Sequence, residues 1–399
     1  MDVTLFQKGA PGTLVPIHGT DALLGPWSHQ AFVPHPLPAT MPALTATTFL
    51  QVSNARAALA ALDSTAKQLP NPTLLRMPTL QREAQSTSAL EGTYAPLAEV
   101  LFADDDAPGT GELVEILNYV RMATYGFTVT SQGRPLTAGL VRTLQALLVR
   151  GTPLESSAGR LRSGQVVIGR RPEATPGTFP AIAARFVPPP PGLELERGLS
   201  DLVEWMRSDH RDSIDPVVSA AMAHYQFETL HPFPDGNGRV GRFLIVLYLM
   251  MSESLSEPTL TVSPWFESRR EEYYDRLLGV STSGNWDGYV EFFARGIEAS
   301  AKLTRNQMLS LVAVQEELHG TVRASNLRAD SAHAVIDIAI AHPSFTLARV
   351  EEETGLSYGR SRKLISQLVE MGVIKPVDPH AYKRRYFAPS VLKVLTQTS

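Results

Sequence analysis

Residues His231-Pro232-Phe233-Pro234-Asp235-Gly236-Asn237-Gly238-Arg239-Val240-Gly241-Arg242 gather a base, a carboxylate, two glycines around an asparagine and two arginines in one short window. Each type has a chemical use. An imidazole titrates near neutrality, so His231 is a candidate proton acceptor. Gly236 and Gly238 tolerate positive φ and let bare backbone approach a ligand, and consecutive N–H groups in such a turn bind anions. A helix opening near Asn237 or Gly238 adds its free N–H groups and its dipole. Arg239 and Arg242 share one face of that first turn, where their guanidinium forks match phosphate oxygens. Asp235 stands at the rim, where a carboxylate can hold Mg²⁺ between phosphates. Pro232 and Pro234 stiffen the connection and set where the imidazole points. The apolar run 243–251 that follows has no polar face and must enter the core, which anchors the loop. The window suits chemistry on a nucleotide phosphate.

The same residues spell G-x-G-x-x-G from Gly236 to Gly241. A dinucleotide fingerprint needs a strand before it and an acidic residue about 20 positions on. Upstream, Val218, Met222 and Tyr225 recur at helical spacing, so a helix precedes the glycines and that reading fails. No G-x-x-x-x-G-K-[ST] occurs, which excludes a P-loop nucleotidase.

The whole window resembles the Fic family signature, H-P-F-x-[D/E]-G-N-G-R-x-x-R, and every specified position is matched. The resemblance implies Mg²⁺- and ATP-dependent transfer of AMP to a protein Ser, Thr or Tyr hydroxyl. It implies that His231 takes the hydroxyl proton and that Asp235 binds Mg²⁺ between the α- and β-phosphates. Gly236, Asn237, Gly238 and Arg239 would then cradle the departing pyrophosphate, and Arg242 would hold the γ-phosphate. Far upstream, Thr87-Ser88-Ala89-Leu90-Glu91-Gly92 resembles the family's inhibitory motif in its N-terminal version. The resemblance implies that Glu91 occupies Arg242 and blocks the γ-phosphate site, with Thr87 and Gly92 shaping the segment. By itself the segment reads as a helical turn ending at a glycine cap.

Two further regions carry the likeness. Gln165, Val166, Val167, Ile168 and Gly169 are β-favouring, and 183–187 is a return strand, so a small hairpin is expected across a Pro- and Gly-rich loop. It resembles the Fic flap, an edge to which a target protein segment adds as a strand. Arg270-Glu271-Glu272-Tyr273-Tyr274 and Asn285-Trp286 resemble the region that closes over adenosine, with Tyr273 and Tyr274 as contacts. The family often carries Asn one place before that Arg, where this chain has Arg269. Tyr273 and Tyr274 also fit plain core packing. His224 lies two helical turns before His231; packing and a hydrogen bond are expected there rather than a shared metal. His210 and His319 are expected to face solvent.

With 399 residues the chain is long enough for two or three domains. The net charge of −4 argues against a protein that coats nucleic acid generally, and the lack of cysteine excludes disulfides and thiolate metal sites. No basic n-region with a following apolar stretch opens the chain, and its apolar runs fall short of about 18 residues, so neither a signal peptide nor a membrane span is expected. A cytoplasmic protein is the resulting expectation.

The expected fold class is mainly α, a Fic-type helical core with a β-hairpin flap and a C-terminal winged helix-turn-helix domain. Residues 1–45, rich in Pro, Gly and Thr, are expected as an extended arm. Residues 46–110 form a helical region with the inhibitory helix, broken at Pro70-Asn71-Pro72, at Pro78 and across 104–111. Residues 111–305 form the catalytic core, with helices at 266–278 and 286–297, and 306–399 the C-terminal helix and domain. Within this domain a pair of helices around Thr354-Gly355-Leu356-Ser357 and a pair of short strands follow winged-helix order. Arg360, Arg362 and Lys363 would meet DNA at the start of the second of these helices, with Lys383, Arg384 and Arg385 in the wing. The same fold also serves as a protein-contact module.

The leading expectation is therefore an autoinhibited protein adenylyltransferase using ATP and Mg²⁺, with a protein substrate held by the flap. Alternatives are a nucleotide-sensing DNA-binding regulator, and removal of AMP at the same site with Glu91 orienting water. Self-modification and homodimerisation are left open.

Overall fold

Val52, Ala55, Leu59, Leu62 and Ala66 recur every three or four positions and are buried along one face of the first helix, α1 (Ala46–Gln68). The structure, a computed structural model, describes residues 1–399 except 22, 24, 69–71, 104–107, 326, 328–329, 382 and 398–399. The expected breaks at Pro70-Asn71 and at the start of 104–111 lie outside the described residues. α2 (Arg76–Leu90) follows. Pro78, expected as a break, sits in its first turn, where the missing N–H has no intrahelical partner to lose. Next come α3 (Leu97–Phe102), α4 (Gly111–Ser131) and α5 (Ala138–Leu148). Thr110 and Thr137 cap the last two, each accepting a backbone N–H three residues on.

The N-terminal segment, expected as an extended arm, forms a β-ribbon. β1 (Gly12–Asp21) and β2 (Gly25–Pro34) pair antiparallel along their whole length, Gly12 opposite Pro34 and Asp21 opposite Gly25. Ile17 and Ala31 are buried on one face of the ribbon and Phe32 on the other, a covering that a reading by Pro and Gly content misses. The expected flap is a shorter hairpin than its β-favouring run: β3 (Ile168–Arg170) pairs with β4 (Ala184–Phe186). Gln165, Val166 and Val167 precede the strand, and a one-turn helix α6 (Pro180–Ala183) leads into β4. The ribbon backs the flap. Phe32 packs edge-on against Phe186, and the Phe32 N–H donates to Val187 O at 2.9 Å.

α7 (Leu193–Arg207), α8 (Pro216–Leu230) and α9 (Asn237–Met251) build the centre. α8 and α9 are buried on nearly all sides, and the window 231–236 joins them, so two buried helices hold it. Phe243 lies fully buried against Phe127 at 4.8 Å between ring centroids, burial contributing about 1.5–3 kcal/mol. Gly126 makes that approach possible, because a Cβ there would sit 2.5 Å from Phe243 Cζ.

The single helix expected at 266–278 is two: α10 (Ser263–Glu267) and α11 (Arg270–Ser283), separated where Arg269 leaves helical geometry. α12 (Trp286–Ala324) runs unbroken for 39 residues, so the boundary expected at 305 falls inside it. Its buried stripe continues through Ala301, Thr304, Met308, Leu311 and Leu318, which keeps the helix intact. The C-terminal region contains α13 (Asp330–Ala341), β5 (Phe345–Thr346), α14 (Leu347–Thr354), α15 (Tyr358–Glu370), β6 (Lys375–Pro376), β7 (Arg385–Phe387) and α16 (Pro389–Thr396). The three strands form one antiparallel sheet in the order β5-β7-β6. Among the described residues no helix is long and apolar enough to cross a membrane.

Candidate active site

α8 ends at His231, which takes the left-handed conformation with φ 47° and ψ 60°. A non-glycine residue there costs on the order of 1–2 kcal/mol, so its surroundings must impose it. They do so from two sides. The buried Asn237 side chain accepts from Phe233 N–H and donates to Phe233 O, both at 2.9 Å, which cinches the loop. Gln145 Nε2 donates to Asp235 O at 3.2 Å. On the other side Arg162 Nε donates to His231 O at 2.8 Å. His231 Nδ1 points at Glu228 O at 3.4 Å, which leaves Nε2 to accept a proton from the cavity. Burial pushes the imidazole down to about 4, with Arg162 adding to the shift and Glu91 opposing it. The ring is neutral at pH 7, as a proton acceptor must be.

Gly236 has φ 82° and caps α9, so the free N–H groups of that helix open toward the loop. Arg239 donates through Nη1 to Glu115 Oε2 at 2.9 Å and lies 3.4 Å from Asp235 Oδ2. Asp235 Oδ1 accepts from Gly236 N–H at 2.6 Å. Arg242 is 1% exposed and held through two of its nitrogens: Nε donates to Thr87 Oγ1 at 2.7 Å, and Nη2 to Thr87 O at 3.0 Å and to Glu91 Oε1 at 2.5 Å. Burial pushes the Glu91 carboxyl up, but Arg242, with Arg239 and His231, outweighs it and holds it below the usual range. A Cβ at Gly238 would collide with Glu91 Oε1, so the carboxylate lies directly on the glycine backbone. Glu91 caps α2, and Gly92 at φ 93° turns the chain away from it.

α2 is itself pinned by a buried carboxyl. Glu83 accepts from Ser263 N–H at 3.0 Å and bonds Ser263 Oγ at 2.5 Å at the start of α10. Burial pushes it up to about 7, the Ser263 bonds and Arg242 opposing. The folded chain then binds a proton that the unfolded chain releases, so stability falls as pH rises from about 4.5 to about 7 and levels above. Glu83→Gln retains a donor and an acceptor toward Ser263. The drop in unfolding free energy between pH 5 and pH 7.5 should be smaller by about 1–3 kcal/mol in the variant, measured by urea melts. An identical drop would mean that Glu83 is ionised in the fold.

A cavity of about 630 Å³, within the range of small-ligand sites, opens beside the loop. Glu91, His231 and Glu228 line its floor, Val167, Ile168 and Gly169 one wall, and Tyr274, Leu277 and Ser281 the other. Burial pushes Glu228 up to about 8, and its Oε1 has no hydrogen-bond partner. Tyr274 faces this cavity; Tyr273 does not. The Tyr273 ring stacks on Phe266 in the core and its hydroxyl meets His224 Nε2 at 2.7 Å. Asn285 caps α12 and Trp286 packs on Tyr225, both outside the cavity wall. His210, expected in solvent, is buried against Trp205 and bonds its carbonyl at 2.8 Å. His319 is likewise drawn in, meeting Asp337 at 3.3 Å. No cluster of three metal-ligand side chains occurs among the described residues. Arg360, Arg362 and Lys363 are exposed on α15, remote in sequence from the loop, while Arg385 turns inward to Ser344.

Arg162, Glu115 and Glu228 have no signal in the sequence that singles them out. Arg162 sits among other arginines in a Gly- and Ser-rich stretch, and Glu115 on an ordinary amphipathic helix. Neither has a spacing that marks it.

Residues 135–249 match the model of the Fic/DOC family, and residues 49–128 that of the Fic/DOC family N-terminal region. Protein adenylyltransferase fic-1 of Caenorhabditis elegans is 35% identical over 154 residues, 39% of this chain and 25% of its own. Protein adenylyltransferase Fic of Drosophila virilis is 34% identical over 151 residues, 38% of this chain and 26% of its own. The chain thus spans about a quarter of the length of these curated relatives. Among solved structures, a Fic family protein from Desulfovibrio desulfuricans G20 superimposes over 88% of this chain and 98% of its own, with a TM-score of 0.53 at 22% identity. That likeness concerns the fold.

Proposed function

We propose that this chain, which belongs to the Fic/DOC family, is a protein adenylyltransferase that moves AMP from ATP to a Ser, Thr or Tyr hydroxyl of a protein. One observation carries the reading: the neutral His231 imidazole lines a cavity of small-ligand size beside Glu91, whose carboxylate sits on Arg242 and on the Gly238 backbone at the start of α9, so an anion replacing it would meet both. In the transfer the hydroxyl oxygen attacks the α-phosphorus. The bond from that phosphorus to the bridging oxygen breaks, and pyrophosphate leaves. His231 Nε2 receives the hydroxyl proton. Charge builds on the leaving group, and the α9 N–H groups with Arg239 and Arg242 are preorganised to meet it.

Asp235 is the residue that would hold Mg²⁺. A single protein carboxylate suits an ion that keeps most of its shell in phosphate oxygens and water. When bound, the ion neutralises phosphate charge. Glu91 would act as a brake, since a carboxylate and a γ-phosphate compete for one guanidinium. Tyr274 and the apolar wall beside it would take the base. The exposed edge of β3 would accept an extended target segment. ATP labelled at the α-phosphate should leave its label on protein, whereas γ-labelled ATP should not; the opposite result would make the chain a kinase and end this reading.

The C-terminal elements support a winged helix, with α14 and α15 as its helix pair and β6 and β7 as its wing. Three exposed cations at the start of α15 favour DNA as a second ligand. Duplex DNA retention should then fall steeply with salt and be lost in the Arg360→Ala, Arg362→Ala double variant. Retention unchanged by both would leave the module to protein contacts.

A further inference from the structure

Arg162 is 3% exposed, and no carboxylate among the described residues pairs with it. Its donors go to main-chain carbonyls: Nε to His231 O at 2.8 Å, Nη2 to Pro189 O at 2.5 Å and Leu230 O at 3.3 Å, and Nη1 to Gly164 O at 3.4 Å. Its own backbone N–H donates to Pro232 O at 3.0 Å. Gly164 opens the flap and Pro189 leaves it, while Leu230, His231 and Pro232 are the turn from α8 into the loop. One buried cation therefore joins both flanks of the flap to the turn that aims the imidazole. Burying a guanidinium without a counter-ion is costly, and it lowers the Arg162 pKa to about 10. A hydrophobic residue would fill the volume without that cost, so the charge and the fork need a reason.

We infer that Arg162 is a positioning residue for the transfer proposed above: it holds His231 in its left-handed turn and locks that turn to the base of the target-docking hairpin. The inference rests on His231 being the proton acceptor. A lysine cannot reproduce it, because one ammonium cannot present separate planar donors to His231 O, Leu230 O and Pro189 O. The charge has a second consequence. A fixed cation behind the imidazole disfavours its protonated form, which supports its role as base. The other titratable and charged groups about that ring are Glu91 at the end of α2, Glu228 on α8, Asp235 in the loop and Arg242 on α9, with Arg170, Arg185, Arg270, Glu271 and Tyr274 lining the same cavity.

The experiment compares Arg162→Lys and Arg162→Met, each in the Glu91→Gly chain. Three quantities are read: the His231 titration by ¹⁵N NMR, the pH–rate profile of AMP transfer, and the affinity for a non-hydrolysable ATP analogue with Mg²⁺. Arg162→Lys keeps a charge but loses the fork. Its kcat should fall on the order of tenfold to a hundredfold, with the His231 pKa near the parent's and analogue affinity within about threefold. Arg162→Met loses the charge as well. Its His231 pKa should rise, and the acid limb of the profile should move to higher pH by the same amount. A lysine variant with the parent's kcat overturns the positioning role, and so does a methionine variant with an unmoved His231 titration. If Arg162→Met does not fold, the lysine variant alone decides. If the Glu91→Gly parent itself moves no AMP, the proposed function fails, while the loss of the His231 left-handed shift signature in Arg162→Lys still tests what holds the turn.

Discussion

Replacing Glu91 by glycine is expected to raise the rate of AMP transfer about tenfold to a hundredfold, which corresponds to removing about 1.4–2.8 kcal/mol of competition for one guanidinium. The reasoning starts from Arg242. It lies buried between α2 and α9, and its fork is held by α2 and its cap: Thr87 Oγ1, Thr87 O and Glu91 Oε1. A γ-phosphate needs the same donors. The Glu91 carboxylate also rests on the Gly238 backbone, so it takes space at the mouth of the cradle as well as charge. Truncation frees both. Arg242 stays buried and becomes a stronger anion site, because an unpaired internal cation is costly until a phosphate replaces the lost carboxylate. Affinity for ATP should tighten along with the rate. Equal label transfer by parent and variant would remove the brake. Loss of AMP removal from a modified target in the same variant would instead give Glu91 a role in hydrolysis.

His231→Ala should lower transfer by about 10²–10⁴-fold, the usual contribution of a positioned general base. Analogue binding should change little, since the cradle is made by the α9 N–H groups and the arginines rather than the imidazole. The effect would therefore fall on kcat. In the parent the rate should decline as pH drops through about 4, where the buried ring becomes protonated and can no longer accept. A variant retaining more than a tenth of the parent rate would place the base elsewhere. Glu228, which lines the same cavity, would then be the next candidate, and the rate should rise with pH through about 8 as its carboxyl ionises.

The loop was legible because its chemistry is local: base, carboxylate, glycines and arginines all fall within one turn and one helix start. The helices were legible for the same reason, since a stripe at three- and four-residue spacing is read within a few turns. What escaped depends on distant partners. The β1–β2 ribbon looked irregular because its Pro and Gly content outweighed a few apolar residues whose neighbours, among them Met1, Phe186 and Val187, lie far along the chain or outside the strands. The 39-residue α12 was cut short because its later turns gain their apolar neighbours from α13 and α16. Tyr273 and Tyr274 are adjacent, yet one enters the core and the other the cavity, a choice set by helix rotation rather than residue type. Arg162 became visible only when 27 and 69 residues of chain separation closed onto its guanidinium.

The most direct measurement is a crystal structure of the Glu91→Gly protein with Mg²⁺ and a non-hydrolysable ATP analogue. The account predicts the triphosphate along residues 236–239, its terminal phosphate on Arg242, and the α-phosphorus facing His231 Nε2 with room for an alcohol oxygen between them. A nucleotide bound with its base in the cradle, or a cavity refilled by neighbouring side chains with no nucleotide in it, would contradict it.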